Sequence, residues 1–135
     1  GTHMEAGGSR ELKISQYKDA GLLLKKHEKQ GIPQFACGDF NTRRSDTILY
    51  PTLIKELQAE DGTLTGELQW TSDHLLNDMD TYNPTRRNLI DYVFCRPNGC
   101  VYAQPERRVM RFETQWHRKH KDLSDHFAVL LRTRL

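Results

Sequence analysis

Apolar positions along the chain recur with two different periods. Ile14, Tyr17, Gly21 and Leu24 repeat at helical spacing beside Ala20, Leu23 and His27, which predicts a helix over 9–30. Ser9 is its cap and Glu11 sits in the first turn. Lys25, Lys26 and Lys29 suit the negative end of the dipole, and Gly31 with Pro33 stops it. Gln34 to Cys37 reads as a short buried strand. Ile48, Leu49, Leu53, Ile54 and Leu57 predict a second helix over 47–58, with Pro51 confining its start to the neighbourhood of Tyr50. Residues 59–88 carry few regular signals: Asp61-Gly62 and Thr65-Gly66 mark turns, and Trp70, Met79 and Tyr82 stand isolated in a polar loop of a length usually reserved for function. Leu89 to Cys95 is a strong strand signal. Val101–Ala103 and Val109–Trp116 are weaker ones, 117–121 is a charged loop, and 127–135 is a final strand.

Composition narrows the class without deciding it. At 135 residues the chain suffices for one modest core, so 1–135 is read as one domain with no internal repeat or linker. A hydrophobic content of 36%, a mean hydropathy of −0.76 and a net charge of +2 describe an ordinary soluble surface and a weak electrostatic signature. Leu22-Leu23-Leu24 is far too short to cross a bilayer. Cys95 and Cys100 flank the turn Arg96-Pro97-Asn98-Gly99, which leaves a hairpin disulfide and two reduced thiols both open. Cys37, in an apolar strand, is expected to pack as a small hydrophobe.

Chemistry enters at three strand ends. Gly38-Asp39-Phe40-Asn41 follows the strand at 34–37, with Asp39 and Asn41 at a spacing of two that can put both on one side. Ile90-Asp91-Tyr92-Val93 places an acid inside an apolar strand. Ser124-Asp125-His126 precedes the final strand. Three strands, each delivering Asp, Asn or His near one end, is how a hydrolytic metal site is assembled. Asp39, Asn41 and Asp125 offer hard oxygen ligands for a cation such as Mg²⁺. The Asn41 amide can donate to a phosphoryl oxygen. His126 is the natural general base, with Asp91 fixing its tautomer. Each residue also has a plainer reading: Asp91 as an acceptor at a strand bend, Asn41 as a turn former.

In this order, the three motifs resemble signatures of the endonuclease/exonuclease/phosphatase superfamily, the DNase I-like fold. The details are most similar to bacterial-type neutral sphingomyelinases. Gly1-Thr2-His3 followed by Ala6 and Ser9 resembles that family's Gly-Thr-His stretch, so His3 is read as native and not as a tag remnant. The helix bearing Gln16 is similar to the one that joins that stretch to the Gly-Asp-x-Asn strand. Trp70, Asn77, Met79 and Tyr82, leading into Leu89 to Phe94, resemble the family's segment before its third strand. The resemblance implies an α/β fold: the C-terminal half of a four-layer DNase I-like sandwich, a mixed sheet with covering helices. It implies catalytic roles for His3, Asp39, Asn41, Asp91 and His126, a metal set of Asp39, Asn41, Asp125 and His126, and phosphate contacts from Asn41 and His3.

The implied activity is Mg²⁺-dependent (or other divalent-cation) phosphodiester hydrolysis of sphingomyelin, in a secreted or extracellular setting. The family's N-terminal half, with an Asn and a metal-binding Glu, has no counterpart here, so a missing half or self-association is expected. Around Trp116, His117, Arg118, Lys119, His120 and Lys121 replace the family's apolar hairpin. Peripheral membrane contact would then rest on charge. A DNase I-like nuclease, suited by Arg43, Arg44, Arg86, Arg87, Arg107 and Arg108 against nucleic acid, and a non-catalytic fragment remain as alternatives.

Overall fold

A computed structural model describes residues 1–80, 85–117 and 119–134, with no side chains described for 115–117. Among these residues two helices and eleven strands build an α/β arrangement with mixed sheets. The principal sheet runs β1 (Thr2–His3), β2 (Gln34–Asp39), β7 (Asp91–Arg96), β3 (Glu60–Asp61). β1 is parallel to β2, and the other neighbours are antiparallel. A second sheet runs β11 (Ala128–Arg132), β8 (Glu106–Met110), β4 (Thr63–Thr65), and a short ladder joins β5 (Ser72–Asp73) to β6 (Arg87–Asn88).

α1 spans Arg10–Lys26, capped at Ser9, whose hydroxyl accepts from the Leu12 amide. It ends short of the expected Gln30. The Gln34 side chain donates to the Leu24 carbonyl at 2.9 Å, and the chain then folds back through a Lys29–Ile32 bridge with Gly31 at φ +76°. α2 spans Leu49–Leu57, and the Asp46 carboxylate caps it by accepting from the Ile48 and Leu49 amides. The helices touch backbone to backbone: a Cβ on Gly21 would lie 2.2 Å from the Glu56 carbonyl oxygen.

The core is Tyr17, Phe40, Leu53, Leu57, Leu89, Tyr92 and Phe94 with Val109 and Phe127. Phe40 meets Phe94 edge-on at 5.0 Å, and Tyr92 stacks on Phe94 at 4.8 Å.

Several expectations fail in the strand-poor half. Residues 59–88 contain β3 to β6, stretches of two or three residues too short to show a period. Val101–Ala103 forms no strand, and 109–116 divides into the end of β8 and β9 (Glu113–His117). The expected charged loop contributes β10 (His120–Asp122), paired with β9. β7 begins at Asp91, two residues after Leu89. The final strand is shorter than expected, ending at Arg132. Tyr82 and Arg118 lie outside the described residues, as does the side chain of Trp116. All three cysteines are free thiols, and Cys37 is exposed rather than packed. Phe35 and Leu23 are also exposed, and Leu23, Phe35 and Cys37 line an apolar groove of about 510 Å³ between α1 and the β1–β2 edge. No helix among the described residues is long and apolar enough to cross a membrane.

Candidate active site

The strand ends open on a cleft of about 1010 Å³ whose lining includes His3, Asp39, Asn41, Asp91, Asp125 and His126. Backbone register assembles it. β2 and β7 place Asp39 directly opposite Asp91, and β1 sets His3 beside Asp39. That last contact requires Gly38, at φ +138°, since a Cβ there would fall 1.9 Å from the Thr2 carbonyl oxygen. Beyond Asp39 the chain turns sharply. Asn41 adopts φ +47°, its amide donating to Asp39 Oδ1 at 2.7 Å, a left-handed turn that Asn tolerates. The Asn41 side-chain nitrogen donates to the Met4 carbonyl at 2.7 Å.

His126 is delivered from the loop before β11. Asn77 Nδ2 donates to the Ser124 carbonyl at 2.8 Å and the Phe127 amide to the Thr71 carbonyl at 2.7 Å, fixing that loop against the 71–77 segment. The Thr71 hydroxyl also accepts from the Ile90 and Asp91 amides, so this one residue ties the start of β7 to the loop before β11.

Asp39, Asp91 and His126 converge, each with a ligand atom within 4.8 Å of the others. His126 Nδ1 lies 3.2 Å from Asp91 Oδ1 in hydrogen-bonding geometry. Asp91 Oδ2 lies 3.0 Å from the same nitrogen and is buried without a hydrogen-bond partner among the described residues. The hydrogen bond to Asp91 is the chief reason that the imidazole is pushed up to about 9, with Asp91, Asp39 and Asp125 charges adding to it against burial. Asp39 is itself raised, by burial first and by Asp91 further down. His3 is more loosely held: Nε2 stands 3.6 Å from Asp39 Oδ2 and its side chain is 77% exposed. Asp125 lines the cleft and accepts from its neighbour Ser124 Oγ at 3.2 Å.

The same cleft carries residues that the sequence reading passed over. Lys13 is buried, and its ammonium donates to the Glu5 and Asn41 carbonyls at 3.0 and 2.7 Å. Burial outweighs the neighbouring carboxylates and lowers its pKa. Its signal was available, since Lys13, Tyr17 and Gly21 share one face at helical spacing. Ser72, His74 and Asp80 form a second polar wall: His74 Nδ1 lies 2.9 Å from Asp80 Oδ1 and Ser72 Oγ donates to Asp80 Oδ2 at 3.0 Å. No local pattern in the long loop announced it.

The endonuclease/exonuclease/phosphatase family profile matches residues 5–126. Among solved structures, beta toxin from Staphylococcus aureus superposes with a TM-score of 0.83 at 22% identity, covering 98% of this chain and 50% of that one. A mutant of the same toxin with bound magnesium ions gives 0.77 at 21%, covering 99% and 49%. Sphingomyelinase C from Streptomyces griseocarneus gives 0.76 at 20%, covering 97% and 48%. The chain therefore spans about half the length of these structures, and at such identities the likeness is one of fold. No curated protein sequence matches it.

Proposed function

The chain belongs to the endonuclease/exonuclease/phosphatase family, and from that premise we propose that it forms part of a metal-dependent phosphodiester hydrolase acting on sphingomyelin, with phosphocholine and ceramide as products. The observation that carries the chemistry is the convergence of Asp39, Asp91 and His126 at the strand ends. The donor set fits a hard divalent cation such as Mg²⁺: two carboxylates face each other across β2 and β7, and one buried Asp91 oxygen lacks a hydrogen bond. Asp39, Asp91 and Asp125 would hold the ion, which supplies charge stabilisation at phosphorus and an acidified water.

The chain's own groups do the rest. With its proton held by Asp91, His126 is an imidazolium at neutral pH. Cancelling the carboxylate charge at Asp39 and Asp91 returns it toward its ordinary range, where it accepts a proton as general base. The Asn41 amide spends one hydrogen on Met4 and keeps the other for a phosphoryl oxygen. His3, exposed beside Asp39, is the donor to the leaving oxygen.

Sphingomyelin is favoured by the Gly1-Thr2-His3 stretch and by a structural neighbour named as a sphingomyelinase; an extracellular setting goes with that reading. A nuclease is the second reading, favoured by Arg43 and Arg86 in the cleft lining. The test is to assay the full-length protein with Mg²⁺ on sphingomyelin vesicles and on plasmid DNA, with His126→Ala as control. Phosphocholine release lost in His126→Ala supports the proposal. DNA nicking lost in that variant, without phosphocholine release, replaces it with the nuclease. Neither activity in the wild type would mean a non-catalytic role.

A further inference from the structure

The β5–β6 ladder treats two adjacent arginines differently. It pairs Asp73 with Arg87, and Arg87 lies flat against that partner, Nε to Oδ1 at 3.1 Å and a terminal nitrogen to Oδ2 at 2.7 Å, with its guanidinium 5.9 Å from the Trp70 ring centre. Successive residues of an extended chain point to opposite sides, and Arg86 lines the cleft instead. Its backbone is tied down, the carbonyl accepting from the His74 amide at 3.3 Å. Among the described residues its side chain has no hydrogen bond or ion pair, and its Nε is buried without a partner there.

The carboxylates nearby are committed elsewhere. Asp80 serves His74 and Ser72, Asp46 caps α2, and Asp39 and Asp91 face His126. Among the other cations of the cleft, the Lys13 ammonium is taken by two carbonyls, and Arg43 is exposed. Arg86 is thus a half-buried planar fork, unpaired among the described residues, on the wall of a cleft in which Asp39 and Asp91 face His126 and Asp125 accepts from Ser124 Oγ. That geometry is complementary to a tetrahedral oxyanion, which a guanidinium grips with two parallel hydrogen bonds.

We propose that Arg86 binds the phosphoryl oxygens of the substrate phosphate in this cleft. The inference rests on the reading of the cleft as a phosphodiesterase site. It adds a binding residue from the 85–88 segment to those offered by β2, β7 and the 124–126 loop.

The test is an NMR titration of the Arg Nε–H resonances of the full-length protein, without metal, using inorganic phosphate, phosphocholine and thymidine 5′-monophosphate. Arg86 should shift with saturation, Arg86→Gln should raise Kd at least tenfold, and Arg86→Lys should fall between. Lys29→Gln, an exposed change in the turn after α1 and outside the cleft lining, should leave Kd alone. Tighter binding of phosphocholine points to a lipid source and tighter binding of the nucleotide to nucleic acid, and either supports phosphate recognition by Arg86. Unchanged affinity in Arg86→Gln, an unmoved Arg86 resonance, or no binding of any of the three probes would overturn it. Arg86-dependent binding by a protein that hydrolyses neither substrate would keep this inference and remove the hydrolase reading.

Discussion

The His126–Asp91 contact makes a prediction about both titration and stability. In metal-free protein, with a chelator present, the His126 imidazole should titrate near 9, against an ordinary 6.5. A group whose pKa is raised by folding stabilises the fold below its unfolded pKa, and that contribution disappears as pH rises through the folded one. The window is therefore pH 6.5 to 9. The gap corresponds to roughly 3 kcal/mol. Since the His126 side chain is 27% exposed, solvent screening reduces this to about 2 kcal/mol. Asp91→Asn keeps the shape and removes the charge. Because the hydrogen bond to Asp91 is the largest cause of the shift, the imidazole should fall most of the way back, with Asp39 and Asp125 retaining part of it. NMR titration of the ring and urea unfolding at several pH values read the two halves of the argument. Wild type should lose about 2 kcal/mol across the window, and the variant only the smaller part that Asp39 and Asp125 retain. An unchanged imidazole pKa, or parallel stability profiles for the two proteins, would refute the reasoning.

Two further outcomes follow from packing. Gly38→Ala puts a Cβ 1.9 Å from the Thr2 carbonyl at φ +138°, so β1 must move, at a cost of about 2–3 kcal/mol in thermal unfolding; a melting temperature equal to wild type would contradict the close approach. Asp61→Ala strands the fully buried Arg107, which ion-pairs with it and sits 5.4 Å from the Tyr92 ring centre. The expected loss in urea unfolding is about 3–5 kcal/mol, and the double variant Asp61→Leu/Arg107→Met should recover most of it.

The parts of the fold legible in the sequence are those where local chemistry and tertiary packing agree. Ser9 caps α1 as the hydroxyl pattern implies, and the apolar run after Leu89 becomes a central strand because it is buried by its neighbours. β3 to β6 were not legible, since a two-residue strand has no period and exists only through its partner. The three polar motifs marked strand ends; the register of β2 against β7 sets two of them face to face, and the Asn77 and Thr71 contacts bring the third to the same cleft. What local pattern could not convey was tertiary: that Lys13 turns inward to tie two carbonyls, that Ser72, His74 and Asp80 fold into the same wall, and that of two adjacent arginines one is pinned and the other left open.

The Asp39–Asp91 register has a dynamic consequence. Like charges directly opposite on neighbouring strands repel, so the end of the sheet that carries the site is also where its ladder is least favoured. This end should breathe: amides near Asp39 and Asp91 should exchange with solvent through local opening well below the energy of global unfolding. Protonated His126, or a cation between the carboxylates, closes the same end. Ligation and local order are then one equilibrium, and the cleft becomes rigid when its charges are matched.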